Sequence, residues 1–206
     1  MGATSSTPLE EEAQRALLET AAHAIESRLG LAQPTAAPDP ASLPAAIARP
    51  AASFVTLNTA AGLRGCCGSL EASRALVLEV WRNAQASAFS DPRFEPLGRA
   101  EWSQISTLEV SVLSALEPLV VKSEAELLER LQPNLHGVLL TWAGRRATFL
   151  PKVWEHLPEP VEFLRQLKLK AGWRADFWVP DLAVQVYTAL SFGIEFPARR
   201  HLRRAG

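Results

Sequence analysis

Cysteine is nearly missing from this chain of 206 residues: two occur, Cys66 and Cys67, and they are neighbours. Adjacent thiols cannot tie distant segments together, which excludes a disulfide framework and fits a reducing compartment. Histidine is also scarce, with four in all, and no Cys-x-x-Cys or His-x-x-x-His pair supplies a spaced donor set for structural zinc. No metal site is expected, and no cofactor is specified. No uninterrupted apolar run reaches the length of about 18 residues that a membrane span needs. Glu10, Glu11 and Glu12 stand where a signal peptide would carry its apolar stretch. The chain is therefore read as cytoplasmic, without a membrane partner. Met1-Gly2-Ala3-Thr4-Ser5-Ser6 has the form of an N-myristoylation signal, but the match needs only Gly2 and Ser6, and one acyl chain without a polybasic patch anchors weakly.

An excess of charge of one sign is missing too. The formal net charge is −1, so no overall field recruits nucleic acid or anionic lipid. Arg199, Arg200, Arg203 and Arg204 nevertheless crowd the end of the chain; setting them aside leaves 17 basic against 22 acidic residues, a body at −5. Residues 199–206 read as a solvated basic tail, and the rest lacks the basic face with interleaved aromatics that nucleic-acid binding uses.

What is present is an ordinary globular composition, 48% hydrophobic and 21% charged, in a chain long enough for one substantial core or one core with an attached lobe. A single domain over residues 1–206 is the expectation. Leu9, Ala13, Ala16, Leu17, Ala21, Ala24, Ile25 and Leu29 recur at helical steps, with Pro8 and three glutamates before them and Gly30 after, predicting a helix over 8–29. Five prolines between 34 and 50 predict an extended surface crossing. Phe54 to Leu57 and the residues entering Leu63 and Arg64 read as paired short strands, followed by a helix over 73–89. Residues 105–113 alternate as a half-buried strand, and Ser123 with Glu126 forms a capping box for a helix over 123–131. Ala143-Gly144-Arg145 punctuates a hairpin, a helix covers about 160–170, and a last strand falls near 182–190. Interleaved helices and hairpins predict an α+β fold with an antiparallel or mixed sheet.

The segment Leu63-Arg64-Gly65-Cys66-Cys67-Gly68 stands out. Read as a bend between a strand and a helix, its glycines would hold the thiols at an exposed turn, and Arg64 would favour the thiolate. Cys66 is then a candidate nucleophile or covalent acceptor. The competing reading makes both cysteines small apolar fillers; a vicinal disulfide would be strained. A base for Cys66 would have to come from four histidines, of which His136, opening a strand, is the best placed. Glu109 and Ser111 project from the polar face of one strand, so they could orient a substrate, or they could be a solvated sheet face. Lys168, Lys170 and Arg165 read as an exposed basic face of the late helix.

Seven short motifs in order are similar to the AMMECR-type domain family, known in prokaryotes as protein A of the AmmeMemoRadiSam system. They are Phe54-Val55-Thr56-Leu57, Leu63-Arg64-Gly65-Cys66, Arg82-Asn83-Ala84, Asp91-Pro92-Arg93-Phe94, Glu109 to Leu113, Thr148-Phe149-Leu150-Pro151 with Trp154, and Lys170-Ala171-Gly172. The family pattern continues after its cysteine with a branched apolar residue, where this chain has Cys67. The resemblance implies an α+β fold with a main body, a smaller lobe and a cleft between them. It also implies a cytosolic protein acting with a Memo-type protein and a radical SAM protein; no Cys-x-x-x-Cys-x-x-Cys occurs here, so cluster chemistry would belong to a partner. Candidate site residues are Cys66, Glu109 and His136 for reaction, and Arg64, Gly65, Cys67, Gly68, Asn83, Asp91, Arg93 and Ser111 for binding a small molecule or peptide.

Overall fold

A computed structural model describes residues 9–196. The basic tail and the myristoylation-like start lie outside the described residues. The chain divides into two compact units, one holding the residues up to Val112 and those from Ser191, the other Leu113–Leu190. Each has its own sheet, so the predicted α+β class holds and is built twice.

The first unit opens with α1 (Glu11–Arg28), ended by Gly30 at φ +65°. The proline-rich segment after it is not wholly extended: a 3₁₀ turn at Pro40–Ser42, capped by the Asp39 carboxylate, leads into α2 (Ala45–Ala48). Ile47 is buried there, so this segment packs where the prolines predict a pure surface crossing. Strands β1 (Ser53–Thr59) and β2 (Gly62–Ser69) form a hairpin, and β1 also runs antiparallel to β3 (Ile105–Leu113). The strand order is β2-β1-β3-β8, with β8 spanning Ala189–Glu195. Helix α3 (Leu76–Phe89) starts three residues later than the sequence predicts, because the Ala51 N–H donates to Arg74 O and Ala75 bridges to Pro50. A short helix α4 (Arg99–Trp102) precedes β3. Val55 and Leu57 of β1, Leu108 and Val110 of β3, and Leu76, Val80 and Ala84 of α3 share one core with α1. Period-two burial in the strands meets the helical stripes, which leaves the other sheet face polar.

The second unit carries β4 (Glu117–Pro118), α5 (Glu124–Arg130), β5 (Gly137–Trp142), β6 (Arg145–Phe149), α6 (Pro160–Lys170) and β7 (Ala183–Tyr187). Its strand order is β4-β7-β5-β6. The predicted strand near 182–190 is thus two strands serving different sheets. Ser123 Oγ accepts the Glu126 N–H as the capping box predicts, while the Glu126 carboxylate reaches Lys122 N. The β5–β6 loop is the two residues Ala143 and Gly144, both at positive φ, as a type I′ turn requires. Lys168 is not on an exposed face: it is sealed in the core, its Nζ 2.6 Å from Glu124 Oε2 and 3.3 Å from Ala175 O. Trp154 stacks on Phe163 with ring centroids 3.7 Å apart, consistent with aromatics as core.

Candidate functional site

The segment from Leu63 to Gly68 lies wholly within β2 and is no bend. Its register fixes where each side chain goes. Cys66 is paired with Thr56 and Cys67 with Val55, so the two thiols leave opposite faces of the sheet. Cys67 faces the helices, beside Ser87 of α3. Cys66 faces the polar side, where Thr56 Oγ1 donates to its sulfur at 3.4 Å.

The glycines serve close packing here. Among the described residues, Gly65 and Gly68 are not at positive φ. A Cβ on Gly65 would stand 2.1 Å from the Ser87 carbonyl oxygen, and one on Gly68 would stand 2.3 Å from the Phe54 ring. Gly65 therefore lets α3 approach β2, and Gly68 lets Phe54 lie across the strand.

β2 is an edge strand, and its outer edge at Cys66 is covered by two side chains from the turn after α3. Asp91 Oδ2 accepts the Cys66 N–H at 2.9 Å, and Arg93 Nη2 donates to Cys66 O at 3.3 Å. The two residues are joined to each other: Arg93 Nε and Nη2 donate to Asp91 Oδ1 and Oδ2 at 2.9 and 2.6 Å. Both main-chain polar groups of Cys66 are thus held by one ion pair. Ser87 Oγ accepts the Cys67 N–H at 2.8 Å and donates to Val55 O at 2.7 Å, bridging β2 and β1. Asn83, one helical turn earlier, donates to Ser53 O at 2.9 Å and is buried.

Arg64 does not serve the thiol. The register slips between Leu57 and Asn58, leaving Arg64 as the unpaired residue of a β-bulge, and a bulge re-aims its side chain. The guanidinium pairs bidentately with Glu101 and donates to Glu95 O at 2.7 Å. Its pKa is raised, chiefly by the bond to Glu101 and against the cost of burial. Glu101 is correspondingly lowered. The cation beside Cys66 is Arg93, which also sits 5.5 Å from the Phe94 ring, with Arg64 at 5.4 Å from the same ring.

The electrostatics bear on Cys67 and on Asp91. Burial pushes the Cys67 thiol up, and the Asp91 charge and Cys66 push the same way, against Ser87 and Arg93. Asp91 is held well below the usual carboxylate range, first by Arg93, with the Cys66 and Arg93 N–H groups adding to it against burial.

Glu109 is opposite Thr56 on β3, so Cys66, Thr56 and Glu109 form one row across three strands. Because Cys66 turns its own polar groups outward, Cys66–Thr56 is a non-hydrogen-bonded pair and Thr56–Glu109 a hydrogen-bonded one. The Cα span from Cys66 to Glu109 is then about 10 Å. Ser111, on the same face, is buried and bonds Ser191 Oγ at 2.8 Å, so it is no solvent-facing hydroxyl. His136 lies in the second unit, where Nδ1 accepts the Gln132 N–H, its carbonyl accepts Trp154 Nε1 and burial lowers its pKa. A cavity of about 680 Å³ in the first unit is lined by Ala16 and His23 of α1, Leu43, Ile47 of α2 and Trp81 of α3 among others, and by no residue of β2. Among the described residues no group of three or more His, Cys, Asp or Glu side chains is arranged to hold a metal ion, and no helix is long and apolar enough to cross a membrane.

Sequence reasoning missed Thr56, Ser87 and Glu101. Ser87 carried a signal, since it sits four residues after Asn83 inside the apolar stripe of α3, where a polar pair must find partners. Thr56 and Glu101 depend on register and on a bulge, which local sequence does not display.

Residues 18–192 match the AMMECR1 family. A protein of Methanothermobacter thermautotrophicus is 33% identical over 187 residues, covering 90% of this chain and 96% of its own. Protein MK0488 of Methanopyrus kandleri is 34% identical over 148 residues, 70% of this chain and 72% of its own. The crystal structure of the uncharacterized protein PH0010 from Pyrococcus horikoshii superposes with a TM-score of 0.83 at 28% identity, over 92% of this chain and 95% of that one. With a family match across most of its length and an archaeal relative aligned nearly end to end, this chain belongs to the AMMECR1 family.

Proposed function

We propose that the polar face of the first sheet is a substrate site centred on Cys66, and that the protein serves a modification pathway in the cytoplasm with a Memo-type and a radical SAM protein. Cys66 is the nucleophile or covalent acceptor, and Glu109 orients the substrate. The observation that carries this reading is the set of bonds around Cys66, which like Cys67 is half-buried. Its N–H and C=O are both held by the Asp91–Arg93 pair, and its sulfur accepts the Thr56 hydroxyl. A fixed main chain beneath the thiol is what a reacting group needs, because reaction rates fall steeply when the attacking atom wanders.

A second reading, a non-catalytic module holding a metabolite, peptide or the Memo-type partner, draws on a different observation. Thr56 and Glu109 share the row with Cys66 and present a hydroxyl and a carboxylate that could fix a ligand without a bond to sulfur. Cys66→Ser in the native host separates the two. Loss of cellular function with an unchanged melting temperature supports the reacting thiol; full retention overturns it in favour of the binding module.

A further inference from the structure

We infer that Arg93 is the specificity-determining cation of the Cys66 site, selecting substrates that carry an oxyanion, a carboxylate or phosphate group, next to the atom the thiol attacks. The inference rests on the substrate-site reading above and adds to it the class of substrate.

The Asp91–Arg93 pair presents its two charges unequally. The Asp91 side chain is 3% exposed and that of Arg93 52%. Asp91 Oδ1 accepts from Arg93 N and Nε, and Oδ2 accepts from Cys66 N and Arg93 Nη2, so the carboxylate is engaged within the protein. What an approaching molecule meets is the guanidinium. Nε and Nη2 are turned inward to Asp91 and Cys66 O, and among the described residues Nη1 has no hydrogen-bond partner. A buried carboxylate that orients an exposed guanidinium leaves a planar donor edge, the geometry that suits a carboxylate or phosphate oxygen.

Position singles out Arg93 from Arg64. Arg93 touches the main chain of Cys66 itself, and both thiols act on it electrostatically, adding to the effect of Asp91 in raising its pKa. Arg64 is buried against Glu101, and neither thiol is among the groups that shift it.

The test compares two reagents of one shape and reactivity class, neutral iodoacetamide and anionic iodoacetate, on the full chain carrying Cys67→Ser. In each, the Cys66 sulfur forms the S–C bond as the C–I bond breaks, iodide leaves with the electron pair and the thiol proton passes to solvent. The readout is the iodoacetate-to-iodoacetamide rate ratio at Cys66 by mass spectrometry, set against the same ratio in urea. The folded ratio is expected to exceed the unfolded one by about threefold or more, the factor for one charge roughly 6 Å away in a watery site. It should fall with added salt, persist in Arg93→Lys and vanish in Arg93→Met and Arg93→Gln. Failure of both reagents to reach Cys66 in the folded protein overturns the substrate-site reading itself. Efficient labelling with the same ratio folded, unfolded and at high salt overturns the role of Arg93 and leaves that reading standing. The salt series uses the native arginine, so the result does not depend on any Arg93 variant folding.

Discussion

Cys66 and Cys67 share a peptide bond yet belong to different environments: the sulfur of Cys66 accepts the Thr56 hydroxyl on the polar face of β2, while Cys67 pairs with the buried Val55 on the helix side. Extended backbone imposes this divergence, because successive side chains point to opposite faces. It also gives Cys67 a raised pKa, from burial first and from the Asp91 charge second.

The Cys67 thiol should therefore resist ionisation in the folded protein. In Cys66→Ser protein, labelling of Cys67 by iodoacetamide should be slow at neutral pH and rise only above the pH at which an unfolded cysteine, with a pKa of about 8.5, begins to react. A pH series of labelling rates on folded and urea-unfolded protein checks this. Equal profiles in the two states would show that the helix-side environment does not act on Cys67.

Tyr187 provides a second pH signature, in the other unit. Burial pushes its hydroxyl up to about 12, against the effect of its bond to Thr148. A folded pKa raised above the unfolded value of about 10 means the contribution is complete below pH 10 and is lost as pH rises through 12. Stability measured by urea unfolding should drop across that window in the native protein. Tyr187→Phe should remove the component of that drop due to this residue. At neutral pH the same variant should lose about 1 kcal/mol, since the hydroxyl bonds Thr148 Oγ1 at 2.6 Å and Phe149 O at 3.2 Å.

Gly65 is needed for the approach of α3 to β2 rather than for a turn. A methyl group there meets the Ser87 carbonyl, which is helix backbone and cannot rotate away. Gly65→Ala should destabilise the first unit by about 1–3 kcal/mol through overpacking, and should disturb the Ser87 bridge between β2 and β1. Thermal unfolding together with faster amide exchange at Cys67, whose N–H bonds Ser87 Oγ, measures both effects. Side chains larger than alanine at this position should be worse still, in order of volume.

These cases show what was legible in the sequence. Helical stripes and strand alternation are strong enough to predict α1, α3, α5, α6, β3 and both hairpins, because burial of one face is written at fixed periods. The Leu63–Gly68 segment reads as a bend because glycine has two uses, positive φ and close approach, and only the register distinguishes them. Arg64 is assigned the wrong partner for a related reason: a one-residue bulge turns it toward Glu101, thirty-seven positions later. Lys168 looks like a surface charge because its partner, Glu124, is on another helix. Local patterns report faces; long-range pairs decide which charges meet.

Acid should weaken what Asp91 contributes to stability. Asp91 is held below the usual carboxylate range by Arg93 first, and by two backbone N–H donors, against the cost of its own burial. A folded pKa depressed below the unfolded value of about 3.9 means that its contribution is present above that value and is lost as pH falls further. Asp91→Asn keeps the shape and removes the charge. At pH 7 it should be less stable by about 1–2 kcal/mol, the size of a charge-assisted bond whose cationic partner is half exposed. Below pH 4 the deficit should shrink, because the unfolded chain's carboxyl takes up a proton there while the folded one stays ionised, which removes the advantage the charge gives the native protein. Urea unfolding of both proteins at several pH values between 2 and 7 reads the difference directly. A deficit that stays constant over that range would mean the carboxylate acts through shape and neutral hydrogen bonds, with its charge contributing nothing to holding Cys66 in place.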